Sequence, residues 1–191
     1  MSLLFFDAEI RHGVITPDNP GQRGYVYANG WTDYAGMGIS TICAYDLSES
    51  QYRVFMIDNL PDFADLANSR DAVVGFNNHR FDDPLLRANE IDLTCESHDL
   101  AKHIWHAAGV VPGEHPKGLG LDALCKANRL PTKTGNGADA PQDFQDGRFG
   151  KLVDYCLGDV RATLCLYRYI KTHGGIINPR TGQWLVVTLP F

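Results

Sequence analysis

The chain has 191 residues, 44% hydrophobic and 21% charged, a balance that suits one domain with its own core. It has no apolar run long enough to span a membrane and no basic segment leading into a signal-like core, so a cytoplasmic protein is expected. The formal net charge of −6 argues against broad, non-specific attraction to nucleic acid. It does not exclude a nucleic-acid enzyme, because clustered site acids contribute to it and bound divalent cations offset them.

Residues 3–10, Leu-Leu-Phe-Phe-Asp-Ala-Glu-Ile, read as a short buried strand that runs into two carboxylates. On a strand, residues i and i+2 share a face, so Asp7 and Glu9 stand side by side. Like charges so placed are costly without a cation between them. The alternative is a strand ending at Phe6, with both acids solvated in the loop that follows. Residues 11–24 are rich in Gly and Pro and read as a loop. Residues 25–34, with Asn29-Gly30 between two aromatic runs, have the form of a type I′ β-hairpin. Cross-strand packing is the favoured role of its aromatics, base stacking the other.

Residues 38–45 and 52–57 read as paired antiparallel strands, 61–69 as a helix with Pro61 in its first turn, and 72–76 as another buried strand. Helices are expected at 82–89, 99–108 and 121–128, then a loop at 131–147. The longest helical pattern covers 149–172 and ends at Gly174-Gly175; residues 183–189 read as a terminal strand. Strands first, then strand–helix alternation, then helices imply an α/β layer architecture around a mixed sheet. A single domain over 1–191 is expected, with 25–34 peripheral and 176–191 a C-terminal extension.

Three acidic clusters stand out. Besides Asp7 and Glu9, Asp82 and Asp83 follow a polar turn, Asn77-Asn78-His79-Arg80-Phe81, after a strand. A carboxylate there serves as a helix N-cap or faces the end of the first strand, where open α/β sheets bind ligands. In Asp154-Tyr155-Cys156-Leu157-Gly158-Asp159-Val160, Tyr155 and Asp159 share a helix face beside apolar neighbours. The five cysteines contain no C-x-x-C pair and fit reduced thiols. His98, His103 and His106 raise a zinc reading, but 98 is out of step with 103 and no fourth ligand follows, so structural zinc is not expected. No Ser/His/Asp triad or phosphate-cradling glycine loop is evident.

Taken together, the clusters resemble the motifs of the DEDD superfamily of ribonuclease H-like 3′–5′ exonucleases. Phe6-Asp7-Ala8-Glu9 is similar to the first, a strand bearing D-x-E. Asn77 through Phe81-Asp82 is similar to the second, N-x-x-x-F-D, which selects Asp82 over Asp83. Tyr155-Cys156-Leu157-Gly158-Asp159-Val160 resembles the third, Y-C-x-x-D-V, of the tyrosine subclass; the histidine position of the sister subclass holds Asp154. The 118–124 and 133–141 segments are similar to stand-alone members often found in bacteria and phages.

The resemblance implies an α/β, ribonuclease H-like three-layer fold with a central mixed sheet flanked by helices. It also implies a DNA 3′–5′ exonuclease in which Asp7, Glu9, Asp82 and Asp159 hold two Mg²⁺ or Mn²⁺ ions, Asp7 bridging them, and Tyr155 orients the attacking water. The chemistry is consistent: phosphodiester hydrolysis is served by two divalent ions roughly 3.5–4 Å apart, and hard oxygen ligands suit Mg²⁺ or Mn²⁺. With a phenol pKa near ~10, Tyr155 suits positioning better than free-base chemistry. Asn77, Arg80 and Lys133 are the candidate contacts to a single-stranded 3′ end. RNA or short oligonucleotides are the alternative substrates, and a non-catalytic nucleic-acid-binding module the alternative class. A polymerase or helicase partner is compatible with the resemblance, but nothing in the sequence indicates one.

Overall fold

A computed structural model describes residues 1–17, 20–111, 113–114, 116–132 and 135–191. Its centre is β1 (Leu3–Ile10), whose side chains alternate between two cores. Leu3 and Phe5 point into one, Leu4, Phe6, Ala8 and Ile10 into the other. Because both faces are covered, the strand reads as an almost continuous apolar run, and each buried Phe contributes about 1.5–3 kcal/mol.

Short β2 (Gly13–Val14) and β3 (Tyr27–Ala28) pair in parallel, apart from the main sheet. A one-turn helix, α1 (Tyr34–Met37), leads into β4 (Ile39–Asp46), which turns back as β5 (Gln51–Met56). Then come α2 (Leu60–Asn68), β6 (Ala72–Gly75), a 3₁₀ turn (Asn78–Arg80), α3 (Asp82–Ala88), β7 (Glu96–Asp99) and α4 (Leu100–Ala107). The chain continues as α5 (Leu121–Ala127), a second 3₁₀ turn (Gly137–Asp139), α6 (Ala140–Gln145) and α7 (Phe149–His173). It closes with β8 (Gly175–Ile177) and β9 (Trp184–Val186).

The main sheet has the order β5-β4-β1-β6-β7. β4 pairs antiparallel to both β1 and β5, whereas β6 is parallel to β1 and β7 to β6. The long α7 packs with α4 and α5 on the Leu3/Phe5 face, and α2 and α3 cover the opposite face. α7 ends where Gly174 adopts φ 74°, a left-handed conformation that glycine enters without a Cβ penalty. At the end of β4, the fully buried Asp46 accepts from Arg70 Nε at 3.0 Å, fastening the strand to the segment before β6. Among the described residues, no helix is long and apolar enough to cross a membrane.

Two expectations change, and two features stand beyond them. Residues 25–34 do not form a hairpin. The Asp33 carboxylate accepts from the Asn29 backbone N–H at 2.9 Å and from Gly36 N–H at 3.0 Å, which turns the chain after Asn29-Gly30 into α1. The strand partner that Val26 lacks is supplied by a side chain: Gln145 accepts from Val26 N–H and donates to Val26 O. The 131–147 segment is not all loop, since α6 forms with Pro141 in its first turn and the buried Asp143 held by Arg148 and Lys151. β7 is an edge strand with no apolar run, so periodicity could not signal it. The terminal strand forms over Trp184–Val186 and pairs with β8, and beyond it Phe191 stacks on His98 at 4.1 Å, returning the C-terminal segment to the core.

Candidate metal centre and its clefts

Asp7 and Glu9 continue the Leu3/Phe5 row of β1 towards the carboxyl end of the strand, on the face that α7 covers. Pairing with β6 stops at Phe5, so β1 outruns its parallel neighbour. The ladder partner missing at Ala8 is replaced by α3: the Ala8 N–H donates to Asp82 Oδ1 at 3.1 Å. A register shift against β4 falls between Glu9 and Ile10, and the Ser40 hydroxyl donates to Glu9 O there. Irregularities of this kind re-aim side chains at strand ends.

The structure also separates Asp82 from Asp83. Asp82 faces β1, whereas the Asp83 carboxylate accepts from Asn78 Nδ2 and from the Ser97 hydroxyl, tying the turn to β7. The turn itself is held by Asn77, which sits in the left-handed region (φ 67°) and donates its N–H to Asp99 Oδ1 at 2.8 Å.

α7 brings in Tyr155 and Asp159, four residues apart and both buried. Four carboxylates from three distant chain segments thus converge. Burial, followed by the charges of Glu9, Asp159 and Asp82, pushes the Asp7 carboxyl well above its ordinary range. Asp82 is pushed up to about 7, chiefly by burial, although the Ala8 N–H pulls it down. Asp7 Oδ2 is buried with no hydrogen-bond partner among the described residues. Such a group is expensive to hold ionised unless a cation neutralises it.

Ligand atoms of Asp7, Glu9 and Cys156 lie within 4.8 Å of one another. The Cys156 thiol, however, is driven far up by burial and donates to Asp7 O at 3.3 Å, which makes it a packing group. The donor set that remains is all carboxylate oxygen, which fits hard divalent cations such as Mg²⁺ or Mn²⁺.

Burial, with the charges of Asp159, Glu9 and Asp7, drives the Tyr155 phenol far above its ordinary value, and the phenol is hydrogen-bonded to Asp159. Its ring is clamped by the glycine loop before α6. A Cβ on Gly135 would come within 2.8 Å of Tyr155 Cδ2, and one on Gly137 within 3.0 Å of the phenol oxygen.

Two clefts meet at Asp7. The larger, about 1010 Å³, reaches past Asp159, Arg80, Trp105 and Lys117; the smaller, about 430 Å³, holds Glu9, Asp82 and Tyr155. Trp31, Phe76, Asn77 and Phe81 line both. Asn77 and Arg80 are therefore at the cleft wall, with Asn77 Oδ1 buried and unpartnered among the described residues. Lys133 lies outside the described residues. Trp105 and Lys117 are not among the expected site residues, and Trp31 stands only among the 25–34 aromatics, whose favoured role is packing and whose alternative is base stacking. Trp31 is 59% exposed, which suits the stacking alternative rather than cross-strand packing. His98 and His103 pack on the Phe191 ring, and neither joins a ligand cluster among the described residues.

No protein-family model matches the chain, and no curated protein matches it. Among solved structures, the chain is similar to the family B DNA polymerase from the hyperthermophilic archaeon Pyrobaculum calidifontis, with a TM-score of 0.62 and 18% identity. The match covers 89% of this chain and 24% of the polymerase chain, so this protein spans about a quarter of that length. The likeness is one of fold: α/β, ribonuclease H-like, three layers with a central mixed sheet flanked by helices.

Proposed function

We propose that the protein is a 3′–5′ exonuclease that hydrolyses phosphodiester bonds at the 3′ end of DNA with two bound Mg²⁺ or Mn²⁺ ions. The observation that carries this reading is the convergence of Asp7, Glu9, Asp82 and Asp159, with Asp7 Oδ2 buried and unpaired among the described residues, at the meeting of two clefts. The sequence resemblance to DEDD exonucleases and the fold likeness to a DNA polymerase support the same choice, the latter favouring DNA over RNA.

In this reading the four carboxylates hold the ions. Bound divalent ions lower the pKa of an attacking water and stabilise the charge that grows on the phosphate and the leaving oxygen. Tyr155 keeps its proton, because burial and three neighbouring carboxylates disfavour the phenolate, so it acts as a hydrogen-bond donor that fixes position. Asn77 and Arg80 at the cleft wall contact the terminal nucleotide and its phosphates.

The test is degradation of single- and double-stranded DNA and RNA, labelled at either end, with Mg²⁺ or Mn²⁺. Divalent-dependent shortening from the 3′ end, faster on DNA, is expected. Equal rates on RNA would shift the substrate, and retained binding without any shortening would favour a binding module.

A further inference from the structure

The large cleft beside Asp7 has a continuation. Arg80 and Trp105 line it, and the same two residues line a further pocket of about 420 Å³. Trp105 is fixed as the ridge between them: its indole N–H donates to Leu119 O at 2.9 Å, and its ring meets Phe76 edge-on at 6.1 Å. Beyond the ridge, α4 presents Lys102 and His106, both exposed, and the following turn presents Val110 and Val111, the latter 57% exposed.

Two carboxylates also line this pocket, Asp99 and Glu114, together with His79. The Asp99 carboxylate is taken up by the N–H groups of Asn77 and Lys102, so it braces the turn beside the acid site against α4. Along the joined path, Lys117, Arg80 and Lys102 form a succession of cations in a chain whose formal net charge is −6. Cations following a groove with a rigid aromatic ridge and exposed apolar side chains are what a single nucleic-acid strand requires: charge for phosphates, flat and apolar surface for bases.

We infer that a single strand whose 3′ end lies at Asp7 crosses the Arg80–Trp105 ridge into this second pocket, where a base rests on Val110 and Val111 and a phosphate meets Lys102. This rests on the exonuclease reading of the acid site, since the strand retained by such an enzyme runs 5′ from the bond that is cut.

The test is the affinity of unlabelled oligodeoxynucleotides, from a dinucleotide to a dodecamer, measured by competition in chelator so that nothing is hydrolysed. Affinity should rise about tenfold once the strand is long enough to cross the ridge, from covering exposed valine surface with one base and adding one phosphate contact. The Lys102→Ala/Val111→Ala double variant, altered only at exposed positions, should lose that gain, and Lys102→Glu should lose more. Lys102→Ala should also reduce the salt dependence of long-strand binding by about 0.7 in slope, the effect of one phosphate contact on a single strand.

A full length gain in the double variant, or none in wild type, would overturn the second pocket. Divalent-dependent hydrolysis of the shortest substrate reports on the acid site alone. Wild type that cleaves it yet gains nothing with length loses only this pocket, whereas wild type that binds and cleaves nothing loses both.

Discussion

Asp82→Asn removes one charge from the carboxylate cluster while leaving an oxygen that can still accept from the Ala8 N–H. Without divalent ions, a carboxyl raised from 3.8 to about 7 in the folded protein weakens folding as pH rises. The sign follows from proton counting: between those values the native state binds more protons than the unfolded chain, so stability is fully present below about pH 4 and declines towards neutrality. At 1.36 kcal/mol per pH unit, the loss amounts to about 4 kcal/mol. In chelator, Asp82→Asn should therefore match wild type at pH 4 and exceed its stability by up to about 4 kcal/mol at pH 8. Mn²⁺ should restore wild type at pH 8 and act more weakly on the variant. Urea unfolding across this pH range, with and without Mn²⁺, measures both effects. A variant less stable than wild type at pH 8 in chelator, or one protected by Mn²⁺ to the same degree, would show that the Asp82 carboxylate is neither the destabilising charge nor a ligand.

Other perturbations separate site from scaffold. Asp83→Ala should lose about 1–3 kcal/mol of stability, because the Ser97 hydroxyl loses its acceptor and Asn78 one of two, yet retain Mn²⁺ protection in thermal unfolding. Asp46→Asn should cost about 1–3 kcal/mol in urea unfolding at neutral pH, because Arg70 exchanges its buried carboxylate partner for a neutral amide and keeps only Glu49 as an anion. Burial pushes the Asp46 carboxyl up, but the Arg70 hydrogen bonds and the Ser48 and Glu49 N–H groups outweigh it and hold the pKa below 3.8. The wild-type advantage should therefore be present above about pH 4 and disappear as pH falls through that lowered value. Gly137→Ala places a methyl against the Tyr155 oxygen and should lower kcat for DNA hydrolysis tenfold or more, with the melting temperature little changed.

The sequence was most legible where composition and period coincide. The apolar run of β1, the Tyr155–Asp159 spacing and the glycine end of α7 each carry a local signal. The convergence of their acids is three-dimensional: the local signals offered Asp82 facing the strand end only as one alternative, and the family resemblance named the full set. β7 escaped because Glu96-Ser97-His98-Asp99 has no apolar alternation; its place at the sheet edge comes from pairing with β6. Residues 25–34 misled because Asn29-Gly30 is a strong hairpin signal, whereas Asp33, three positions on, redirects the chain by accepting two backbone N–H groups. The joining of the cleft aromatics was illegible for a different reason. Trp31 and Trp105 are 74 positions apart, and nothing local marks them as walls of one cleft.

If Asp7 anchors the metal site, the decisive comparison is the rate at which wild type and Asp7→Ala shorten a 5′-labelled single-stranded DNA in Mn²⁺. Stepwise loss of nucleotides from the 3′ end by wild type, stopped by chelator and absent in Asp7→Ala, is the predicted result. Equal shortening by the two proteins, or shortening that persists in chelator, would contradict it.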